Sequence, residues 1–348
     1  MIKVAINGFG RIGRTAFKVW FDKHRDEMQV VAINDIVDAK TLAHLLKYDS
    51  NYGVWNRKVS AENIVDDVKS AEPGQKVGKI VVDGVAIPTF ATKEPEKLPW
   101  LNLKVDVVIE STGKFTDEEG MRKHLMAGAS RVVLSAPAKG GNVGTFLLGV
   151  NEQDYKGETL INNASCTTNC VAPVARVMQE KFGIKKAMMT TIHAYTQDQL
   201  LQDGPHKDLR RARAAGVNIV PTSTGAAIAT TEVMPELKGL FDGMSLRVPV
   251  AVGSISDFTF LLARKTTVAD VNTAITEASK KMEGIMAVTN EPIVSTDIIG
   301  RSESAIVDLS LTQVVDGDMV KVFAWYDNEF GYSNRLVEQV IQVGKSIA

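Results

Sequence analysis

Val4-Ala5-Ile6-Asn7-Gly8-Phe9-Gly10-Arg11-Ile12-Gly13 decides how the first half of this chain folds. A short apolar run of strand type enters G-x-G-x-x-G, and a helical pattern, Thr15 to Asp22, follows. In a strand–loop–helix unit of this kind each glycine has a task. Gly8 allows the tight turn, Gly10 lets a pyrophosphate approach the backbone, and Gly13 lets helix pack on strand. Asn34-Asp35 ends the next strand-like run, about 20 residues on, where an acidic side chain takes the ribose hydroxyls. The negative charge of Asp35 opposes a 2′-phosphate, so NAD is expected rather than NADP. A glycine loop can also be a plain turn. The strand before it, the helix after it and the acid beyond it together favour a dinucleotide.

Outward from this stretch, strand-like and helix-like segments alternate. Val30–Ile33 precedes Ala39–Tyr48, Val105–Ile109 precedes Asp117–Ala127, and Arg131–Leu134 follows. Short runs buried on both faces and separated by helices predict a doubly wound parallel sheet. Trp55 to Pro88 breaks the rhythm with a turn at Glu72-Pro73-Gly74 and a hairpin over Val81–Ile87, which predicts an antiparallel excursion. Later strands are longer: Ala187–His193, Leu246–Ser254, Ser256–Ala263, Ala305–Leu311 and Met319–Tyr326. Helices are expected at Ala226–Met234, Val268–Met282 and Ser333–Ile347. The fold class is an α/β Rossmann-type parallel-sheet domain plus an α+β catalytic domain with a mostly antiparallel sheet. The expected division is 1–165 with 333–348 for NAD binding, and 166–332 for catalysis and oligomerisation.

The 348 residues suffice for two such domains. A formal net charge of −1 gives nucleic acid or an anionic membrane no hold as main partner. No apolar run is long enough to span a bilayer, and no secretory signal precedes the first strand, so a cytoplasmic location is expected. The two cysteines stand one helical turn apart, which suits neither a disulfide framework nor a metal site. No metal is expected.

Those cysteines belong to Ala164-Ser165-Cys166-Thr167-Thr168-Asn169-Cys170, just before the helical run Val171–Lys181. At a helix start the backbone dipole and unpaired N–H groups favour thiolate, and the same N–H groups can stabilise an oxyanion. Cys166 is therefore the candidate nucleophile, and Cys170 a buried small residue. Of the five histidines, His193 closes the first strand after the Cys166 helix. An imidazole there would lower the thiol pKa and serve as acid and base. The basic run Lys207–Arg213 reads either as a solvated face or as an anion site. Thr222-Ser223-Thr224-Gly225 at a helix start, and Arg247 in an apolar strand, lean toward an anion. Ser111-Thr112-Gly113 and Ser135-Ala136-Pro137 end strands at the ligand edge of the sheet, as binding loops or as plain turns.

Ile6 to Arg14, Ala164 to Cys170, His193-Ala194-Tyr195-Thr196, Lys207 to Ala215, Pro221 to Ala227, Arg247-Val248-Pro249 and Trp325 to Ser333 run nearly end to end. In that order the chain resembles phosphorylating glyceraldehyde-3-phosphate dehydrogenases. The resemblance implies that Cys166 attacks the aldehyde, His193 takes the proton, and hydride passes to NAD. Inorganic phosphate then attacks the resulting thioester, so D-glyceraldehyde 3-phosphate gives 1,3-bisphosphoglycerate. It implies a substrate-phosphate site at Thr196, Asp198, Arg211 and Arg247, and an attacking-phosphate site at Ser165, Thr167, Thr224, Gly225 and Arg247. Asn328 would hold the nicotinamide carboxamide, with Tyr332 nearby. Asn7, Gly8, Phe9, Gly10, Arg11, Ile12, Gly13, Asp35, Lys93, Ser111, Thr112, Gly113 and Ser135 would surround the rest of the cofactor. The segment 196–218 resembles the core of a homotetramer.

Lys93-Glu94 stands where the family often has Arg-Asp, Phe330 replaces a common Trp, residues 297–302 differ in wording, and 54–78 is longer than expected. Two other activities remain to be weighed. Erythrose-4-phosphate dehydrogenases share the cysteine run and the glycine loop but are expected to lack Thr222-Ser223-Thr224-Gly225. A cysteine acyltransferase would use Cys166 and His193 without a nucleotide, and Asp35 with its glycine loop argues against it.

Overall fold

Val4, Ala5 and Ile6 are wholly buried, as are Val107, Val108 and Ile109, because strands inside a parallel sheet are covered on both faces. The computed structural model describes residues 1–347. Ala348, placed by the expected division in the first domain, lies outside the described residues. The chain forms two units: Met1–Phe146 with Asp154–Asn163 and the chain from Leu336 on, and Leu147–Gln153 with Ala164–Arg335. Residues 147–153 thus join the second unit, which a single division at residue 165 does not provide for.

The first unit contains β1 (Ile2–Asn7), α1 (Arg11–Lys23), β2 (Met28–Asn34) and α2 (Ala39–Lys47). A small ribbon of β3 (Tyr48–Asp49) and β4 (Gly53–Val54) follows, then β5 (Val59–Asn63), β6 (Lys76–Val82), β7 (Val85–Phe90) and α3 (Trp100–Leu103). It continues with β8 (Val107–Glu110), α4 (Glu118–Met126), β9 (Arg131–Leu134), β10 (Gly144–Thr145) and β11 (Leu160–Asn162). The sheet order is β10-β11-β9-β8-β1-β2-β7-β6-β5. Pairing is parallel from β10 through to β7, and antiparallel at β7·β6 and β6·β5. The stretch Trp55–Pro88 therefore does not leave the sheet. Its hairpin extends one edge, because β7 returns to pair in parallel with β2.

The second unit contains α5 (Cys166–Phe182), β12 (Ile184–Ala194), β13 (Val220–Ser223), α6 (Ala226–Val233), β14 (Phe241–Val248) and β15 (Ser254–Leu262). It continues with α7 (Val268–Lys281), β16 (Met286–Thr289), β17 (Ala305–Asp308), β18 (Gln313–Val315) and β19 (Met319–Tyr326), and α8 (Phe330–Lys345) begins in it. The sheet order is β13-β14-β12-β15-β19-β17-β16, with β18 on β19. It is mostly antiparallel, with parallel pairs at β12·β14 and β16·β17. Alternate residues of β15, from Ser254 to Leu262, are buried, the period-2 pattern of a sheet with one face on a core. That core includes Phe258, Phe260, Val322 and Ala324 of the sheet and Cys170, Val171, Val174 and Met178 of α5.

Two sequence expectations are corrected here. Leu246–Ser254 is not one strand. β14 stops before Pro249, which has no N–H to donate, and Gly253 turns the chain at φ +94° with Ser295 O where a Cβ would stand. The last helix starts at Phe330 rather than Ser333, because Asp327 Oδ1 accepts from the N–H groups of Glu329 and Phe330 at 2.9 and 2.8 Å.

Candidate active site

Two of the three glycines of the loop have no room for a side chain. At Gly8 (φ +93°) a Cβ would lie 2.6 Å from Thr112 N, and at Gly13 one would lie 2.1 Å from Gly8 O. At Gly10 nothing stands within 4 Å, so that backbone is open to a ligand. Gly10 also caps α1 without a side-chain hydrogen bond, and the positive end of the α1 dipole lies at this loop, where it favours an anion. Asp35 Oδ2 accepts from Phe9 N at 2.7 Å, which ties the end of β2 to the loop. Its other oxygen has no hydrogen-bond partner among the described residues.

A cavity of about 280 Å³ lies over these strand ends. Asn7, Gly8, Gly10, Asp35, Lys93, Ser111 and Thr112 line it, together with Asn34, Ile36, Thr92, Lys114 and Phe115. The Ser111 hydroxyl donates to the carbonyls of Asn7 and Gly8 at 3.1 and 2.7 Å, bracing the loop from below. Other expected cofactor residues stand elsewhere in the unit. Phe9 is buried against Phe17, and Ile12 lies in the first turn of α1. Arg11 reaches Asp49 at 3.2 Å with Tyr52 beside it. Gly113 turns at φ +70°, and Ser135 N donates to Glu110 O at 2.9 Å.

In the second unit, Cys166 is the first residue of α5. Ser165 caps the helix, its Oγ accepting from Thr168 N at 3.0 Å and sharing a 2.7 Å bond with the Thr168 hydroxyl. Ala164, just before it, holds φ +50° with its carbonyl bound by the Tyr332 hydroxyl at 3.1 Å. This sharp entry leaves Cys166 half-buried, with Sγ 3.4 Å from His193 Nε2. His193 Nδ1 lies 2.6 Å from the carbonyl oxygen of Ala194, which can only accept. Arg247 Nη1 lies 3.2 Å from the same nitrogen, but the carbonyl is nearer, so the Nδ1 proton points to Ala194 O and Nε2 presents a lone pair to the thiol.

The charge states differ from those the sequence suggests. Burial pushes the Cys166 thiol up, outweighing the nearby Arg247 charge and the hydrogen bonds from Thr167 and its own N–H. Burial, aided by Arg247, pushes His193 down to about 3. Both shifts favour thiol and neutral imidazole over an ion pair, so His193 offers Cys166 an acceptor rather than a positive charge. Cys170, one turn on, is wholly buried and its thiol is also pushed up by burial.

Beside this pair stands a charged cluster. Arg247, on β14 directly opposite His193 of β12, donates to the Thr196 hydroxyl at 3.0 Å and to Ala194 O at 3.3 Å. Asp198 takes hydrogen bonds from the Thr196 hydroxyl and from Arg211. Burial pushes the Asp198 carboxyl up, but Thr196, Arg211 and Arg247 outweigh it and hold it below the usual carboxylate range. The four residues expected around the substrate phosphate are thus one network. Arg247 Nε is buried with no hydrogen-bond partner among the described residues. Thr224 Oγ1 accepts from Ala226 N at 3.1 Å at the start of α6, with Gly225 as its cap residue.

Sequence reasoning missed Tyr326. Its buried hydroxyl shares bonds with Thr167 at 2.9 Å and Thr191 at 2.7 Å, and its ring meets His193 edge to face with centroids 6.0 Å apart. The Thr167 hydroxyl thus has an internal partner. Tyr326 lies inside the quoted stretch Trp325 to Ser333, but that stretch gave it no role, because only sheet pairing brings β19 beneath the cysteine. Ser254 was missed as well. Its hydroxyl and Gly253 N both donate to Asn328 Oδ1 at 3.0 Å, which fixes the amide's orientation and leaves its nitrogen as a donor.

The glyceraldehyde 3-phosphate dehydrogenase NAD-binding domain profile matches residues 2–118, and that family's C-terminal domain profile matches residues 165–328. The chain is 51% identical to a glyceraldehyde-3-phosphate dehydrogenase of Mycobacterium tuberculosis, over 99% of both chains. It is 50% identical to that of Borreliella burgdorferi, over 97% of this chain and 98% of the relative. It is 48% identical to glyceraldehyde-3-phosphate dehydrogenase 2 of Streptomyces avermitilis, over 99% of both. With both halves matched and identity near one half along almost its whole length, this chain belongs to the glyceraldehyde 3-phosphate dehydrogenase family.

Proposed function

We propose that this chain converts D-glyceraldehyde 3-phosphate, NAD and inorganic phosphate to 1,3-bisphosphoglycerate through a thiohemiacetal and a thioester on Cys166. As a family member it is an NAD-dependent oxidoreductase acting on that aldehyde. The observation that carries the residue roles is Cys166 Sγ 3.4 Å from the unprotonated Nε2 of His193, beside a network of arginines.

Cys166 Sγ attacks the aldehyde carbon while His193 Nε2 takes the thiol proton and passes it to the carbonyl oxygen. His193 then removes the hydroxyl proton as hydride leaves the carbon, giving a thioester. Bound NAD supplies the hydride acceptor. A phosphate oxygen attacks the thioester, sulfur leaves, and His193 returns its proton to the thiol. Arg211, Arg247 and Thr196 hold the substrate phosphate, displacing the Asp198 carboxylate that occupies Arg211 at rest. Thr224, Gly225 and Ser165 serve the attacking phosphate, which Arg247 also faces through its unpaired Nε. In this reading 1–165 with 333–348 binds NAD and 166–332 carries the chemistry.

The cavity residues fit NAD. Open backbone at Gly10 and the positive end of the α1 dipole suit a pyrophosphate, and the unpaired oxygen of Asp35 suits a ribose hydroxyl. The Asn328 amide nitrogen suits a carboxamide oxygen. Asp35→Ala removes both the ribose acceptor and the partner of Phe9 N. One charge-assisted hydrogen bond corresponds to about 10- to 100-fold in affinity. The expected result is a rise of about that size in KM for NAD, with a comparable loss of discrimination against NADP. Unchanged NAD and NADP kinetics would remove Asp35 from the site.

The overall reaction is tested by NADH formation with phosphate present and omitted. With phosphate, turnover continues; without it, NADH stops near one equivalent per cysteine because the thioester is not relieved. Sustained phosphate-independent turnover, or a preference for erythrose 4-phosphate, overturns the reading.

A homotetramer is supported by apolar residues that one chain leaves in water. Leu201, Leu209, Val217 and Ile219, at or next to the segment 196–218, are 88, 80, 79 and 67% exposed. A monomer by light scattering overturns it. A cytoplasmic, glycolytic setting accords with free Cys166, which an oxidising compartment would endanger. Enzyme activity confined to the secreted fraction would count against it. Among the described residues no helix is long and apolar enough to cross a membrane, and no group of His, Cys, Asp or Glu could hold a metal.

A further inference from the structure

We infer that Glu110, a wholly buried carboxylate at the end of β8, is a positioning residue for the dinucleotide cavity. The inference rests on that cavity being the NAD site. Glu110 and His124 of α4 are both 0% exposed. Glu110 Oε2 accepts from Asn7 Nδ2 at 2.5 Å and lies 3.0 Å from His124 Nε2. Glu110 Oε1 accepts from Thr112 N at 2.8 Å and from the Thr112 hydroxyl.

The proton positions follow from Trp100. Its Nε1 can only donate, and it lies 3.0 Å from His124 Nδ1. His124 Nδ1 is therefore bare, and the ring proton sits on Nε2, facing the carboxylate. Four donors thus converge on one acceptor-only group. No lysine or arginine pairs with it among the described residues; its one ion-pair contact is His124. A buried polar network in which every member is satisfied has one low-energy arrangement.

That arrangement reaches the cavity at four points. Asn7 cannot flip its amide: Nδ2 is needed by Glu110, and Oδ1 accepts from Asn34 Nδ2 at 2.7 Å. Asn34 Nδ2 also donates to Thr92 O, and Asn34 Oδ1 accepts from Thr92 N, each at 2.9 Å. Asn7, Asn34, Thr92 and Thr112 all line the cavity, and they come from four separate segments of chain. The Gly8 turn rests on the same support, since Thr112 N fills the place of its missing Cβ. One carboxylate therefore sets the register of the cavity wall and of the loop that would meet the pyrophosphate.

Glu110→Gln keeps the shape but turns one acceptor into a donor facing donors. Calorimetry on the full-length protein is expected to show NAD bound about tenfold more weakly, the size of one lost hydrogen bond. KM for NAD should rise in parallel, while kcat at saturating NAD and KM for glyceraldehyde 3-phosphate stay within about twofold of wild type. Adding Asn7→Asp to Glu110→Gln reverses the direction of the bond between the two positions. The carboxylate introduced on β1 accepts from the amide introduced on β8 and from His124, and it still accepts from Asn34. The double variant should return NAD affinity to within about threefold of wild type.

A Glu110→Gln variant that loses thermal stability yet binds NAD as the wild type does overturns the inference, since the network then serves the core alone. Asp35→Ala in the same assay separates two failures. If it weakens NAD while Glu110→Gln does not, the Glu110 role falls; if neither changes affinity, the cavity is not the NAD site and both readings fall. Should Glu110→Gln not fold, Trp100→Phe decides. It removes the donor that fixes the His124 tautomer and some core volume beside Phe90, with about threefold weaker NAD expected, and unaltered affinity overturns the role.

Discussion

Serine in place of Cys166 is expected to lower NADH formation from glyceraldehyde 3-phosphate by about ten-thousand-fold or more, with NAD still bound. The substitution is nearly isosteric. It keeps the first residue of α5, the Ser165 cap and a hydrogen-bond partner for His193. What it removes is the proposed nucleophile, a thiol that can give up its proton to a neutral imidazole. An alcohol is far less acidic than even a thiol pushed up by burial, and it forms an ester rather than a thioester, a poorer acyl donor to phosphate. Stopped-flow measurement of the first turnover, with NAD binding measured separately, checks the result. Retained turnover would take Cys166 out of the mechanism.

The second large effect is at His193. Removing a general acid–base typically costs about 10²- to 10⁴-fold, so His193→Gln should lower kcat by that range with little change in KM for NAD. The residue also carries a stability signature. Its pKa falls from 6.5 to about 3 in the folded state, so below pH 6.5 the unfolded chain binds a proton that the folded chain refuses. This contribution to stability is therefore lost as pH falls from about 6.5 toward 3, amounting to about 5 kcal/mol at the lower limit. His193→Gln should flatten that part of the unfolding free energy against pH. Equal acid sensitivity in wild type and variant would show that His193 titrates normally. Because the neutral base persists down to about pH 3, His193 itself puts no acidic limb on the rate profile between about pH 5 and 7.

The thiol shows why charge is hard to read along a chain. The sequence places Cys166 at a helix start near one histidine, and both features argue for thiolate. The structure keeps both features and still raises the thiol, because desolvation is a property of everything packed around the site. Arg247 opposes that burial only because β14 lies parallel to β12 and sets Arg247 beside His193. Sequence separation gives no sign of such a pairing. Tyr326 is the same case: β19 pairs with β15, and β15 with β12, so its hydroxyl reaches Thr167 and Thr191.

By itself the sequence determined whatever is local. The three glycines, the strand before them and the acid after the next strand specified a dinucleotide loop, because each answers a steric or charge demand met within about 30 residues. Apolar runs against alternating ones separated the parallel sheet from the mostly antiparallel one, since burial on one face or two leaves its period in the chain. The order of motifs brought the family into view. The tertiary structure alone decided which polar groups meet. Glu110 beneath Asn7, Tyr326 beneath Thr167 and Asp198 on Arg211 are pairings across strand and loop neighbours. The proton positions and charge states of Cys166, His193 and His124 follow from those meetings, because hydrogen bonds and desolvation act through space and leave no periodic trace in the sequence.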